Sequence, residues 1–130
     1  MLFRSMAEHL RVGDGLLPET EMGPLVNLGR VDAVHTYTEI GRAEGATLVS
    51  GGHPLVEGEL SDGAFYAPTI FTNVAPGMRI AQEEIFGPVV SIIPVAGYDE
   101  AIAAANSTIY GLSCAIFTEN VRTADRKSVV

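Results

Sequence analysis

The sequence predicts an α/β fold with a parallel sheet, and three consecutive segments in its second half carry that prediction. Residues 89–95 form a continuous apolar run, typical of a strand covered on both faces. Asp99 stands where an N-cap is expected, ahead of the helix-forming residues 100–105. Residues 113–118 indicate another buried strand. Strand, helix and strand with short joins form a βαβ unit, whose two strands are parallel.

The first half of the chain predicts helices and a short strand. Residues 6–11 indicate the tail of a helix. Apolar residues recur at roughly helical spacing between residues 26 and 43, and Gly45 closes that helix. Residues 47–50 then indicate a short strand, which ends at the Gly51-Gly52 turn.

The middle of the chain is less regular. Residues 53–63 carry Gly, Pro, Asp and Glu without an apolar period and indicate a surface excursion. Residues 65–74 are rich in β-branched and aromatic side chains, and Pro68 favours a sheet edge or an irregular strand start. Residues 78–82 favour one helical turn, and a last helix is expected to begin at residue 119 or 120.

Composition excludes several classes of function. The net charge is −8 and Lys127 is the only lysine, so we expect no nucleic-acid partner. No apolar run reaches the length of a membrane span, and the first residues lack the pattern of a secretory signal. The single cysteine, Cys114, fits a reducing cytoplasm. The three histidines lie far apart and lack the spacing of metal ligands, so we expect no metal.

The segment 82–90 is the clearest candidate for a ligand-binding loop. It reads Q-E-E-I-F-G-P-V-V and places two acids, an aromatic ring and a Gly-Pro turn before an apolar run. A carboxylate can accept two hydrogen bonds from a sugar diol, and a Phe face can lie against a flat heterocycle. A solvated acidic loop ahead of a strand has the same composition, so the residues alone leave both interpretations open.

Short blocks elsewhere share the order and spacing of one family: Val12–Gly15, Met22–Leu25, Gly41–Ala46, Gly51-Gly52, Tyr66–Ile70 and Ala105–Ser113. Together with E-E-I-F-G-P they resemble the motifs of the aldehyde dehydrogenase superfamily, over almost the whole chain. The resemblance implies a partial parallel-sheet catalytic domain of the aldehyde dehydrogenase type at residues 6–124. Residues 1–5 and 125–130 instead resemble translated sequencing-adapter oligonucleotides, so we expect both ends to be non-native.

The resemblance implies oxidation of an aldehyde or semialdehyde to a carboxylic acid with NAD or NADP. The family's nucleophilic cysteine lies in a G-Q-x-C setting and its general-base glutamate in E-L-G-G, and neither motif occurs here. We therefore expect no catalytic residue in this chain and no dehydrogenase activity from the chain alone. The aldehyde substrate and a homo-oligomeric assembly belong to a full-length parent. The runs G-Y-D-E-A-I and I-Y-G-L-S favour the 2-oxoglutarate semialdehyde type.

Four residues are candidates for cofactor binding because they match family positions. Glu84 matches the acid that hydrogen-bonds the nicotinamide ribose, and Phe86 the aromatic that helps fix the nicotinamide. Leu112 matches an apolar position near the nicotinamide, and Arg30 a position whose polar side chain reaches toward the cofactor ribose. The alternatives are a solvated carboxylate at Glu84 and a helix-surface charge at Arg30. For Phe86 and Leu112 the alternative is core packing.

Two neighbouring polar or reactive residues are expected to be structural. Glu83 is interpreted as structural or solvent-facing. Cys114 is expected to be a buried small hydrophobe, because its predicted strand offers no basic group to favour the thiolate.

Two other classes of function stay open on the sequence. One is a small non-catalytic nucleotide- or sugar-binding module, which a melting shift of the isolated chain with NAD would favour. The other is a purely structural fragment, in which removing the charge of Glu84 would change nothing in the parent's cofactor affinity.

Overall fold

A computed structural model of the chain describes residues 2–125, which divide into two compact units. The first unit ends at Ile93 and contains a small sheet and the buried core. The second unit begins at Pro94. Residues 126–130, most of the C-terminal stretch expected to be non-native, lie outside the described residues.

The first unit opens with α1 (Leu2–Glu8) and then α2 (Leu28–Ala43). The side chain of Asn27 caps α2 by accepting a hydrogen bond from the Arg30 N–H at 2.9 Å. Gly45 closes the helix in the left-handed region, with φ +97°. The helix predicted at residues 26–43 is therefore confirmed, with its start two residues later.

A three-stranded sheet follows within this unit, in the order β1 (Thr47–Ser50), β2 (Thr69–Thr72), β3 (Val89–Ser91). β2 runs parallel to β3, so the sheet is partly parallel and the predicted α/β class is confirmed, although this is not the strand pair that the sequence predicted. β2 runs antiparallel to β1, which the sequence had not indicated. Since β2 has a neighbour on each side, the edge position suggested by Pro68 is wrong. Pro68 instead stands just before β2, where its missing N–H costs no ladder hydrogen bond.

Tight turns fix the ends of these strands. Gly51 and Gly52 follow β1 with φ of +70° and +83°, and a Cβ on Gly51 would overlap the carbonyl oxygen of Pro68. Glycine is therefore required there by both backbone conformation and space, and the predicted turn is confirmed. The predicted surface excursion at residues 53–63 contains one turn of 3₁₀ helix, Gly58–Leu60.

The core joins α2, the sheet and α3 (Arg79–Gln82), the helical turn that the sequence predicted. Its buried members are Val31, Val34, Ala46, Tyr66, Phe71, Val74, Ile80 and Ile85. Helix α2 comes unusually close to α3, because a Cβ on Gly41 would lie 2.9 Å from Cδ1 of Ile80. This close packing sets the position of the residues that follow α3.

The apolar run at residues 89–95 is less regular than expected. Only Val89–Ser91 form a strand, and Val90 is 43% exposed. The expectation of a strand covered on both faces is therefore wrong, because no described segment covers the face to which Val90 points.

The second unit contains α4 (Tyr98–Ala105) and α5 (Val121–Asp125). Asp99 is not the N-cap of α4, since Gly97 holds that place and the Glu100 carboxylate accepts the Ala96 N–H at 2.7 Å. Asp99 lies instead in the first turn, where a negative charge suits the helix dipole. The start of the last helix is confirmed, because the Asn120 side chain accepts from the N–H of the residue two places on.

The strand predicted at residues 113–118 is wrong. Between residues 94 and 125 the structure has no strand, and Cys114 is exposed rather than buried. A strand depends on ladder hydrogen bonds with a neighbour, and no segment described there supplies one. The βαβ unit is therefore not completed. Across residues 2–125, no helix is both long and apolar enough to cross a membrane.

Candidate cofactor-binding site

The candidate loop runs from the end of α3 to the start of β3 and alternates between interior and solvent. Ile85 is buried in the core, at 9% exposure. Glu84 before it and Phe86 after it are both exposed, Phe86 at 68%. Because a buried Ile85 anchors the loop, its two neighbours point away from the core. Within the described residues, Phe86 therefore lies outside the core.

Gly87 ties this loop to helix α2. A Cβ on Gly87 would overlap the side chain of Val34, which is fully buried on α2. The glycine of the Gly-Pro turn is thus required by the close approach of the helix, and not by a left-handed backbone.

Phe86 adopts an unusual backbone conformation, with φ +52°. A positive φ is rare for a bulky side chain, since its Cβ crowds the neighbouring carbonyl. Such strain costs on the order of 1–3 kcal/mol and is concentrated at binding and active sites. The loop thus holds an aromatic ring out to solvent at a cost in conformational energy.

Arg30 meets Phe86 across the gap between α2 and the loop. The guanidinium carbon of Arg30 lies 5.6 Å from the centroid of the Phe86 ring, within the range of a cation–π contact. Two of the four predicted cofactor residues, far apart in the sequence, are therefore brought together. Arg30 is more than a helix-surface charge, since it lies over one face of that ring.

The two adjacent acids differ sharply in their partners. Glu83 accepts hydrogen bonds from Arg79 Nε at 2.7 Å, from Arg79 Nη2 at 2.9 Å and from the Tyr37 hydroxyl at 2.7 Å. No hydrogen bond or ion pair within residues 2–125 engages the Glu84 carboxylate. Glu83 is therefore structural, as expected, and Glu84 is the acid that can accept hydrogen bonds from a ligand.

The electrostatics of Glu83 agree with that division. The Arg79 hydrogen bonds, aided by the Tyr37 hydroxyl, lower the pKa of Glu83 from 4.5 to about 2. The same contact raises the pKa of Tyr37, chiefly because its hydroxyl donates to the Glu83 carboxylate. The pKa of Arg79 is raised as well, chiefly because its guanidinium donates to the Glu83 carboxylate. Glu83 is thus a firmly ionised acceptor at neutral pH.

An open cleft of about 310 Å³ lies along the loop. Its lining residues are Ile80, Glu83, Glu84, Ile85, Phe86, Gly87, Val89 and Ser91. The cleft combines one uncommitted carboxylate, one exposed ring and apolar walls. This combination suits a ligand that has vicinal hydroxyl groups beside a flat ring.

The other predicted residues lie in the second unit. Leu112 is fully exposed there, and its assignment to the cofactor stays a prediction. Cys114 is exposed as well. Among the residues described, no three His, Cys, Asp or Glu side chains are grouped so as to hold a metal ion.

Sequence reasoning missed Tyr37 and Arg79, which hold Glu83. Arg79 and Glu83 are four residues apart, a spacing that brings side chains together over a helical turn, so this pair was recognisable. Tyr37 lies 46 residues before Glu83 and carried no local signal.

Comparison with known proteins identifies the family. The model of the aldehyde dehydrogenase family matches residues 2–128. The chain belongs to the aldehyde dehydrogenase family. Among curated members, it is 50% identical over 121 residues to an alpha-ketoglutarate semialdehyde dehydrogenase of Haloferax volcanii, covering 92% of this chain and 24% of the relative. It is 48% identical over 118 residues to a betaine aldehyde dehydrogenase of Brucella anthropi, covering 90% and 24%.

Solved structures of aldehyde dehydrogenases share the fold of this chain. A betaine aldehyde dehydrogenase of Staphylococcus aureus, solved with NAD+, superposes with a TM-score of 0.92 at 38% identity, over 96% of this chain and 26% of that one. An aldehyde dehydrogenase of Bacillus cereus gives 0.86 at 42% identity, over 94% and 24%. This chain thus spans about a quarter of the length of its aldehyde dehydrogenase relatives.

Proposed function

We propose that this chain forms the nicotinamide-binding part of an NAD- or NADP-dependent enzyme that oxidises an aldehyde or semialdehyde to a carboxylic acid. The observation that carries the proposal is the contrast between two adjacent acids. Glu83 is fully engaged by Arg79 and Tyr37, whereas Glu84 is exposed and uncommitted beside the strained, exposed Phe86. Such an arrangement leaves one carboxylate and one ring available to a ligand.

Each exposed group has a defined task in this proposal. Glu84 accepts hydrogen bonds from the two hydroxyls of the nicotinamide ribose, and Phe86 lies against the nicotinamide ring. The ring, when bound, supplies the hydride acceptor of the oxidation. Precise placement matters because a displacement of ~1 Å can cost ~100-fold in rate. Arg30 supports Phe86 through its cation–π contact with the ring. The family resemblance also assigns Leu112 to the cofactor.

The site serves NAD and NADP alike. The two cofactors differ by a phosphate on the adenosine ribose, whereas Glu84 and Phe86 would contact the nicotinamide half. The NAD+ present in the Staphylococcus aureus structure supports NAD as a ligand.

In this proposal, specificity for the aldehyde substrate is determined mainly by residues outside this chain. The chain is about equally similar to relatives named for alpha-ketoglutarate semialdehyde and for betaine aldehyde, at 50% and 48% identity. The first of these supports the 2-oxoglutarate semialdehyde type. We further propose a cytoplasmic location, supported by the single cysteine, and a homo-oligomeric parent, as the family resemblance implies.

Catalysis needs groups beyond these 130 residues. The sequence has neither the G-Q-x-C nor the E-L-G-G motif, in which the family resemblance places the nucleophilic cysteine and the general-base glutamate. The chain alone should therefore not reduce NAD+ in the presence of an aldehyde, which an absorbance assay for NADH checks.

Binding of nicotinamide mononucleotide tests the proposed site directly, since this ligand carries the ribose and ring without the adenosine half. In a 15N NMR titration we expect shifts centred on Glu84 and Phe86. Glu84→Gln should weaken binding ~10-fold, because hydrogen bonds to a charged acceptor are lost. Glu59→Gln makes the same change on the surface excursion and should leave affinity unaltered. Shifts elsewhere, or equal effects of both variants, would contradict the proposal.

A further inference from the structure

One face of helix α2 contacts the cofactor loop along its length. Arg30, Val34 and Tyr37 are four and three residues apart, so they lie on the same side of the helix. Each has a partner across the gap. The guanidinium of Arg30 lies over Phe86, the side chain of Val34 packs on Gly87, and the hydroxyl of Tyr37 donates to Glu83.

Tyr37 and Arg79 together enclose the carboxylate of Glu83. The guanidinium of Arg79 binds both oxygens of Glu83, and its carbon lies 5.5 Å from the centroid of the Tyr37 ring. The Tyr37 hydroxyl adds a third hydrogen bond, at 2.7 Å. The backbone N–H of Arg79 also donates to Glu44 at the end of α2, at 2.8 Å. α2 therefore holds α3 and the residue after it through charged hydrogen bonds as well as packing.

This arrangement restricts the one acid that the loop leaves uncommitted. Glu84 lies between Glu83, whose side chain is bound to Tyr37 and Arg79, and Ile85, whose side chain is buried. Consecutive Cα atoms are about 3.8 Å apart, so two fixed neighbours leave the intervening residue little room to move. The direction of the Glu84 side chain therefore depends on Tyr37 and Arg79, which hold Glu83 but are not among the residues lining the cleft.

We propose that Tyr37 is a positioning residue of the cofactor site, acting through Glu83 to hold Glu84 toward the nicotinamide ribose. This inference rests on the proposed function, in which Glu84 accepts hydrogen bonds from that ribose. Tyr37 contacts neither the ligand nor the reacting atoms. Its hydroxyl links helix α2 to the loop through the hydrogen bond to Glu83.

The test compares Tyr37, a residue of α2, with Tyr66, whose hydroxyl donates a hydrogen bond to α2. Tyr37→Phe removes the hydroxyl that donates to Glu83 and keeps the aromatic ring that the Arg79 guanidinium lies over. Tyr66→Phe removes a buried hydroxyl that donates to Thr38 of α2 at 3.0 Å and, within residues 2–125, forms no hydrogen bond with the loop. The full 130-residue chain is used throughout. The readouts are the melting temperature, the 15N order parameter of Glu84 and the affinity for nicotinamide mononucleotide.

The two variants should show opposite patterns. Tyr37→Phe should lower the Glu84 order parameter and weaken nicotinamide mononucleotide binding about 5-fold, with a small change in melting temperature. Tyr66→Phe should lower the melting temperature, since it removes a buried hydrogen bond to Thr38, and leave the loop and the affinity unchanged.

Other outcomes overturn the inference. It fails if Tyr37→Phe changes the melting temperature alone, or if the Glu84 order parameter falls while affinity stays at the wild-type value. Failure of the proposed function looks different, because the wild-type chain would then not bind nicotinamide mononucleotide at all. In that event the order parameter alone decides whether Tyr37 holds the loop, and an unchanged value overturns that role.

Discussion

At the scale of single residues, neighbouring side chains in the loop between α3 and β3 differ in their exposure and in their hydrogen-bond partners. Phe86 is strained and exposed, Glu84 is exposed and uncommitted, and Glu83 is bound on both oxygens. Adjacent carboxylates of the same type thus differ in role because their surroundings differ. The difference has a consequence that depends on pH.

The low pKa of Glu83 predicts an acid-resistant contact. Hydrogen bonds from Arg79, with help from Tyr37, lower its pKa from 4.5 to about 2 in the folded chain. A depressed carboxyl pKa stabilises the fold above the unfolded value of 4.5, and this contribution is lost as pH falls toward about 2. We expect the Glu83 carboxyl 13C signal to titrate near the lower value in an NMR experiment.

Arginine variants provide the control for this titration. Arg79→Gln should raise the pKa of Glu83 toward 4.5, because the largest cause of the shift is removed. Arg42→Gln removes an exposed arginine whose one ion pair within residues 2–125 is with Glu39 on α2, and it should leave Glu83 unaffected. A wild-type Glu83 that titrated near 4.5 would mean that the contact with Arg79 is not formed in solution.

The sequence predicted the exposed residues of the site better than the residues that support them. Glu84 and Phe86 were recognisable because their motif is local and contiguous. The Arg30–Phe86 and Tyr37–Glu83 contacts join residues about 50 positions apart, so their existence depends on how α2 packs against the loop. Local patterns carry no information on such packing.

At the scale of elements, the close approach of α2 to the loop depends on glycine. We predict that Gly87→Ala lowers the free energy of unfolding by ~1–3 kcal/mol, because its Cβ would overlap Val34 and force the helix and loop apart. Urea denaturation measures the change. Combining it with Val34→Ala should cost less than the sum of the two single variants, since the substitutions share one contact.

Gly77→Ala is the matched control for this prediction. A Cβ at Gly77 meets no heavy atom within 4 Å, and its φ is not in the left-handed region. The substitution should therefore be neutral or raise stability by up to ~1 kcal/mol, through a less flexible unfolded chain. If both alanine variants unfold at the same urea concentration, Val34 of α2 does not pack tightly against Gly87 in solution.

Local signals predicted the helices and failed where a strand needs a distant partner. The Asn27 cap and Gly45 lie beside the helix that they delimit, so α2 was evident from its own residues. The antiparallel pairing of β1 with β2 joins segments about 20 residues apart, and the sequence carried no sign of it. The apolar residues 113–118 look like a strand, yet no described segment pairs with them.

At the scale of the whole molecule, buried structure is concentrated in the first unit. All the core residues lie before residue 86, and from residue 94 to residue 123 every described side chain is at least partly exposed. Large apolar side chains are among the exposed ones, including Leu112 and Phe117. The chain also spans only about a quarter of its relatives' length. Apolar residues in the second unit therefore lack the burial that stabilises a fold.

Amide hydrogen exchange should reveal this contrast between the units. Protection reflects buried hydrogen bonds, so we expect the slowest exchange at β2, whose residues Ile70 and Phe71 are buried and paired with a strand on each side. Residues 107–119 should exchange close to the rate of an unfolded peptide, and α4, only eight residues long, should show weak protection. Mass spectrometry or NMR resolves the two classes. Equal protection of both units would show that the second unit is stabilised by contacts that its exposed side chains do not reveal.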